Sequence, residues 1–240
     1  MSSPADPPPR SRGCPTAPTI AAVRKLATEP ITPNPAELWR VAKQGQQLSF
    51  YTSKKPGGNR FDPLPAPDTG VGVLYLATSP DAAVAEALLR WHDEVEVGTN
   101  IELERSRFEN KKIYRMGLTR SLNLVDCTGL GVAILQQTID ASAPQGWRAE
   151  DIFQCSSAHY AQTQQWAGWF RAQEPDADGV QWMSRQFNSE KAIVLFGDRC
   201  SAADLTCDES HAEGLLTDRS SRAYRRVTDQ VAALGWSVDL

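Results

Sequence analysis

The sequence of 240 residues lacks the features that would assign it at once to several common classes of protein. No apolar run approaches the roughly 18 to 20 residues that a membrane-spanning helix needs, and the proline-rich N-terminus has no apolar core of a secretory signal. The five cysteines include no C-x-x-C pair, and no H-E-x-x-H motif occurs, so no metal site is predicted. We therefore expect a cytoplasmic globular protein with reduced thiols, of which Cys127 and Cys155 are buried.

The chain also lacks an excess of positive charge. Its 25 basic and 29 acidic residues give a formal net charge of -4. That balance argues against sequence-independent binding to a nucleic-acid backbone. With 41% hydrophobic residues, the chain is long enough for one sizeable domain and too short for two of ordinary size.

The uneven distribution of proline predicts how the chain is organised. Nine of the 16 prolines fall within residues 1–35, where they remove backbone donors and disfavour helix. We predict a mobile leader over residues 1–36, with a short helical run near 20–27. A catalytic domain is predicted over residues 37–199 and a C-terminal extension over 200–240, ending in an amphipathic helix near 220–233.

The remaining pattern mixes strands and helices without a regular βαβ alternation, which favours an α+β fold. Apolar runs bounded by turn residues predict strands at 38–41, 71–77, 113–118, 122–125, 180–183 and 192–196. Helices are predicted at 132–139 and 159–172.

Glu86 is the most informative single residue, because it lies in a helix predicted from Pro80 to about Trp91. Ser79 is a suitable N-cap, and Asp81 favours the positive end of the helix dipole. The helix is apolar on nearly every side, so the carboxylate of Glu86 must find a cationic or hydrogen-bonding partner or line a cleft. The alternative is a solvent-facing glutamate on a helix with a broad apolar stripe.

Two further segments could bind an anionic or polar ligand. The glycine pair before Arg60 allows close backbone approach, and a guanidinium suits a phosphate or carboxylate bidentately. Ser184 and Arg185 bring a hydroxyl and a second guanidinium to the end of a predicted strand. The alternatives are an exposed loop arginine and a strand end without a catalytic role.

In order and spacing, these segments resemble the RES domain family over about residues 37–198. Glu86 follows Tyr75 by eleven residues, as in the family pattern, while the leader and the tail after Arg199 have no counterpart in compact members. The matching pieces are Leu38-Trp39-Arg40-Val41, Asn59-Arg60-Phe61-Asp62-Pro63, Gly72-Val73-Leu74-Tyr75-Leu76-Ala77, Ser121-Leu122-Asn123-Leu124-Val125-Asp126, Gln165-Trp166-Ala167, and Asp178-Gly179 leading to Ser184-Arg185.

The resemblance implies the toxin of a bacterial toxin–antitoxin pair. Such a protein has an ADP-ribosyltransferase-like fold, a mixed sheet core with flanking helices, and destroys NAD+ by cleaving its nicotinamide–ribose bond. NAD+ is then a substrate and no cofactor is implied, with inorganic phosphate as an alternative acceptor to water. The implied partner is a helix-turn-helix antitoxin, and a homo-oligomer is left open.

The resemblance also implies roles for individual residues, all without a metal. Breaking the bond builds positive charge on the ribose, which the Glu86 carboxylate would stabilise. Arg60, with Arg40 as a second candidate, would bind the diphosphate, and Tyr75 would stack on an aromatic ring. Ser184 would hydrogen-bond to nicotinamide or ribose. Asn59 and Arg185 are further substrate-binding candidates.

Other functional classes fit the sequence less well. The G-x-S-x-G elbow of a serine hydrolase and the G-x-G-x-x-G turn of a dinucleotide-dependent oxidoreductase are both absent. Two alternatives stay open. One is a transferase that moves ADP-ribose onto a protein, and the other is an interaction module in which the arginine, glutamate and serine are structural.

Overall fold

A computed structural model of the chain describes residues 13–18, 24–33, 37–52, 58–62, 71–89, 102–142, 146–185, 187 and 189–238. The end of the helix predicted to reach Trp91 and residues 20–23 of the helical run predicted near 20–27 lie outside these residues. Residues 24–27 of that run are not helical, because they lead directly into a strand that begins at Thr28, so the prediction is wrong there. Within the described chain, no helix has the length and apolar character to cross a membrane.

The core is one eight-stranded sheet with the strand order β1-β6-β7-β8-β3-β2-β5-β9. All neighbouring strands pair antiparallel except β6 and β7, which are parallel. The strands are β1 (Thr28–Ile31), β2 (Leu38–Lys43), β3 (Val73–Ala77), β5 (Lys111–Leu118), β6 (Leu122–Cys127), β7 (Gly179–Met183), β8 (Lys191–Phe196) and β9 (Leu205–Gly214). A separate parallel pair joins β4 (Glu102–Leu103) to β10 (Ser237–Val238).

Helices flank this sheet, so the predicted α+β class and its mixed sheet core are confirmed. They are α1 (Pro80–Val84), α2 (Gly129–Ser142), α3 (Asp151–Gln154), α4 (Tyr160–Gln173) and α5 (Arg222–Ala233). Short 3-10 turns lie at Arg105–Arg107, Ser157–His159 and Ala202–Asp204.

The central strands β3 and β8 are apolar almost throughout, because both of their faces are covered. Side chains of one face pack against α2, α3 and α4, where Trp166 and Phe170 are fully buried. Those of the other face, such as Leu74 and Leu195, form a second cluster with Leu205 of β9. Burial on both faces fixes the register of the strands that carry the site.

The sheet includes strands from all three predicted segments of the chain. β1 lies in the stretch predicted as leader, yet it pairs with β6 from Thr28 opposite Val125 to Ile31 opposite Leu122. Residues 13–18 also contact the domain, since the indole Nε1 of Trp166 donates to the carbonyl of Pro15 at 2.7 Å. β9 lies in the predicted extension and forms the opposite edge of the sheet. The folded unit is therefore larger than residues 37–199.

Candidate active site

A cavity of about 860 Å³ opens between β2, β3 and the helix that follows β3. Its described lining contains four cationic side chains, Arg40, Lys43, Arg60 and Lys111, and one carboxylate, Glu86. Four positive charges and one negative charge give the lining a formal +3, whereas the whole chain carries -4. The described lining is thus positive although the chain as a whole is acidic.

Glu86 lies in a turn of π-helix, Ala85–Leu89, that continues α1. The predicted helix start is confirmed, since the Ser79 hydroxyl accepts from the Ala82 amide at 3.1 Å. The predicted single α-helix instead changes pitch directly before the carboxylate, and π turns of this kind occur frequently at functional sites. The side chain of Glu86 is half-buried and borders the cavity.

One oxygen of Glu86 is fixed by two donors from the segment after β7. Oε1 accepts from the Ser184 hydroxyl at 2.7 Å and from the Arg185 amide at 3.1 Å. Oε2 makes no hydrogen bond to the described residues. The carboxylate is therefore held in one orientation with one oxygen available at the cavity.

Ser184 lies behind Glu86 and outside the cavity lining. Its side chain is fully buried, and its hydroxyl accepts from the Phe187 amide at 3.3 Å while donating to Glu86. The structure shows the Ser184 hydroxyl directed at Glu86, and the expected hydrogen bond to nicotinamide or ribose stays a prediction. Arg185 also contacts Glu86 through its backbone N–H. β7 ends at Met183, and the chain that follows directs this amide toward the carboxylate.

The loop before Arg60 is fixed by a buried aspartate. Asp62 is fully buried and accepts from the Asn59 amide at 2.8 Å, from the Asn59 side chain at 3.2 Å, and from the Tyr75 hydroxyl at 3.3 Å. The Tyr75 hydroxyl accepts in turn from the Phe61 amide at 3.0 Å. Phe61 packs edge-on against Trp182 with ring centroids 4.9 Å apart, a geometry that adds about 0.5–1.5 kcal/mol to burial. The polar groups of Asn59 and Tyr75 therefore order the loop, although both residues line the cavity.

Arg60 is buried, with 7% of its surface exposed, and it has no carboxylate partner among the described residues. Nη1 donates to the Ile152 carbonyl at 3.2 Å and lies 3.4 Å from the Cys155 sulfur. The guanidinium carbon lies 5.4 Å from the centre of the Tyr160 ring. Nε and Nη2 make no hydrogen bond to described residues, so part of the guanidinium fork remains available to a ligand.

Arg40, on β2, is a second cation without a carboxylate partner in the described chain. It donates to the carbonyls of Tyr75 at 3.4 Å and Ser49 at 2.9 Å, and its Nε is buried with no partner. Burial lowers the pKa of the guanidinium to about 10, so it stays charged at neutral pH. An incompletely paired cation of this kind is stabilised by a bound anion.

The structure therefore places five of the seven predicted site residues in the cavity wall, and the other two, Ser184 and Arg185, against Glu86. Sequence reasoning assigned no role to Asp62 or Tyr160. The signal for Asp62 was present, because it follows Arg60 by two residues in the matching piece Asn59-Arg60-Phe61-Asp62-Pro63. Tyr160, a hundred residues away in sequence, gave no such signal.

The arrangement can bind an elongated anion along the cations and stabilise positive charge next to Glu86. No group of three or more histidine, cysteine, aspartate or glutamate side chains that could hold a metal is found among the described residues. The cysteines predicted to be buried, Cys127 and Cys155, are buried, and burial raises the pKa of the Cys127 thiol.

Comparison with known proteins identifies a matching family and a solved structure of similar fold. The model of the RES domain family matches residues 37–218. No curated protein matches the chain. Among solved structures, the chain is similar to one from the M. tuberculosis MbcT-MbcA toxin–antitoxin complex, with 16% identity, coverage of 72% of this chain and 81% of that chain, and a TM-score of 0.46.

Proposed function

We propose that this chain, which belongs to the RES domain family, cleaves the nicotinamide–ribose bond of NAD+ and acts as the toxin of a toxin–antitoxin pair. The observation that carries the proposal is a single oriented carboxylate, Glu86, in a cavity whose other charged side chains in the described lining are all cations. NAD+ needs both features, because its diphosphate is anionic and its ribose becomes cationic during cleavage.

The reaction follows from the charges. As the bond between the ribose carbon C1′ and the pyridinium nitrogen breaks, its electron pair goes to nicotinamide, which leaves as a neutral molecule. The ribose then carries the positive charge, and the available oxygen of Glu86 stabilises it. An acceptor oxygen attacks C1′; when the acceptor is water, ADP-ribose and a proton are released. A preorganised electrostatic group of this kind contributes about 10²–10³ in rate.

Diphosphate binding is assigned to Arg40 and Arg60, the two arginines of the described cavity lining, neither of which has a carboxylate partner among the described residues. Arg60 offers Nε and Nη2, and Arg40 offers an unpaired charge on the neighbouring wall. The cavity volume, about 860 Å³, falls within the about 300–1,000 Å³ that is usual for ligand pockets. Tyr75 contributes its ring to the wall while its hydroxyl orders the loop.

The test is release of nicotinamide from NAD+ by the purified chain, measured by chromatography, with the other product identified by mass spectrometry. ADP-ribose identifies water as the acceptor, a phosphorylated ADP-ribose identifies inorganic phosphate, and a modified protein identifies a transferase. No release with any of these acceptors refutes the proposal.

The matched pair Glu86→Gln and Glu190→Gln assigns the activity to the cavity. Both glutamates accept from a hydroxyl, that of Ser184 at 2.7 Å and that of Thr78 at 2.8 Å, but only Glu86 borders the cavity. We expect Glu86→Gln to lower turnover by about a hundredfold or more, with NAD+ binding retained because the charge acts in the transition state. Glu190→Gln is expected to match the wild type. Equal losses in both variants would contradict the role of Glu86.

A partner protein follows from the proposed activity. An enzyme that consumes NAD+ harms the cell that makes it, so a second protein must restrain it. A helix-turn-helix antitoxin, as the family resemblance implies, would do so by inserting a segment with carboxylates into the +3 cavity. Expression of the chain alone should stop growth and deplete NAD+, and co-expression of the antitoxin should restore both. Unchanged growth and NAD+ in cells that contain active enzyme would refute the need for a partner.

A further inference from the structure

The last helix of the chain, α5, lies beyond the region that the family model matches, which ends at residue 218. It packs against the helix that carries Glu86. Val227 and Val231 of α5 share a buried cluster with Val84 and Leu88, which lie on either side of Glu86 in sequence. An element outside the family domain thus covers the back of the helix whose front borders the cavity.

Two polar residues of α5 contact the first turn of α1 as well. Arg226 forms an ion pair with the Asp81 carboxylate. Gln230, one helical turn later, donates from Nε2 to both the Asp81 carbonyl and its Oδ1 at 3.2 Å. Both contacts meet at one residue, so they fix the rotation of α1 about its axis as well as its distance from α5.

The orientation of α1 determines where the Glu86 carboxylate lies. Asp81 precedes Glu86 by five residues, about one and a half helical turns, and α1 passes into the π turn between them without an intervening loop. Ser184 and Arg185, from the segment after β7, hold the carboxylate itself. If the first turn of α1 rotates, the carboxylate must either leave these donors or leave the cavity wall.

We infer that α5 is the positioning element for Glu86, and that Arg226 and Gln230 are its positioning residues through their contacts with Asp81. The inference rests on the proposed function, because it assigns to α5 the rate of the step in which Glu86 acts. A displacement of about 1 Å in a catalytic group costs up to about a hundredfold in rate. Contacts far from the ribose can therefore set kcat without touching the substrate.

The experiment compares Arg226→Met with Arg225→Met in the full chain. Both arginines lie on α5, but Arg225 is exposed and makes no contact with Asp81. For nicotinamide release, Arg226→Met is expected to lower kcat by tenfold or more with KM within twofold of the wild type. Arg225→Met is expected to leave both unchanged, and Arg226→Lys, which keeps the charge, should recover part of kcat. A merely structural role would lower the melting temperature without this split between kcat and KM.

Further variants and a second measurement keep the inference open to refutation. Wild-type kcat in Arg226→Met overturns it. If Arg226→Met does not fold, Gln230→Met, which removes only the amide contacts, decides in the same way. If the wild type releases no nicotinamide, the proposed function fails by itself, and amide hydrogen exchange at residues 81–89 decides the positioning. Faster exchange in Arg226→Met than in Arg225→Met supports it, and equal exchange overturns it.

Discussion

Replacing Ser184 with alanine separates two roles for this hydroxyl, a contact with substrate and a contact with Glu86. The hydroxyl is fully buried and donates to the Glu86 carboxylate at 2.7 Å while accepting from the Phe187 amide at 3.3 Å. A hydrogen bond to a charged group contributes about 1.5–3 kcal/mol. We therefore expect Ser184→Ala to lower the free energy of unfolding by about 2 kcal/mol.

The kinetic effect follows from the same bond. Without this bond Glu86 is less well oriented in the transition state. If the activation free energy rises by about 1.4–2.7 kcal/mol as a result, kcat falls by about ten- to a hundredfold. KM for NAD+ should stay near the wild-type value, because the hydroxyl does not line the cavity.

The assay is steady-state nicotinamide release, together with denaturant unfolding, for Ser184→Ala and for Ser189→Ala. Ser189 is an exposed serine in the turn before β8, so its loss should change neither quantity. A severalfold rise in KM with unchanged kcat would refute the reasoning, because it would show that the hydroxyl contacts the substrate in the ground state.

Three further predictions test the cations and the edge of the sheet. Arg60→Ala should weaken NAD+ binding, measured by calorimetry, by about tenfold or more. Arg60→Lys should not restore the affinity, because lysine lacks the bidentate fork. Full affinity in the lysine variant would contradict a bidentate role for Arg60. Burial lowers the pKa of Arg40 to about 10, so the affinity ratio between wild type and Arg40→Gln should be well above one at pH 8 and fall toward one as pH rises through about 10. A ratio of one already at pH 8 would exclude a charge role. Hydrogen bonds from the Ser201 amide and from Arg120 hold the pKa of Asp204 below its usual range. A carboxylate whose pKa is lower in the folded state stabilises the fold above its unfolded pKa, and this stabilisation is lost as pH falls through the folded pKa. The stability advantage of wild type over Asp204→Asn should therefore disappear in acid unfolding as pH falls below about 4.

The sequence predicted most of the regular structure where local chemistry and burial agree. Ser79, Pro80 and Asp81 mark the start of α1 because capping acts within one turn and needs no distant partner. The apolar runs of β3 and β8 predict central strands for a similar reason. The change from α to π at residue 85 was not predictable, since Ala85-Glu86-Ala87-Leu88-Leu89 has the composition of an ordinary α-helix.

The two edges of the sheet were missed because little of their sequence is buried. β1 contains Pro30, and β9 is mostly polar with only Leu205 buried, so neither shows the apolar alternation of a strand. Both are specified by pairing with distant strands, β1 with β6 and β9 with β5. Tertiary pairing overrides local preference at such positions.

The site residues could be named from the sequence, but their contacts could not. Ser184 and Glu86 are 98 residues apart in sequence, and nothing local indicates that the hydroxyl donates to the carboxylate. The same holds for the buried hydrogen bonds of Asp62, which turn Asn59 and Tyr75 toward the loop. Motif order predicts which residues meet, and only the fold shows which of them face the cavity.

The contact between α5 and α1 also sets a time order for the appearance of the site during translation. Arg226 is synthesised 140 residues after Glu86 and after every residue of the described cavity wall, the last of which is Ala192. At about 5–20 residues per second, the carboxylate waits on the order of ten seconds for the helix that orients it. A nascent chain that has reached residue 221 thus contains every proposed substrate-binding group but not α5, so its Glu86 is held only by Ser184 and Arg185. Until α5 is complete and packs against α1, a partner protein already present in the cell has an interval in which to bind the chain.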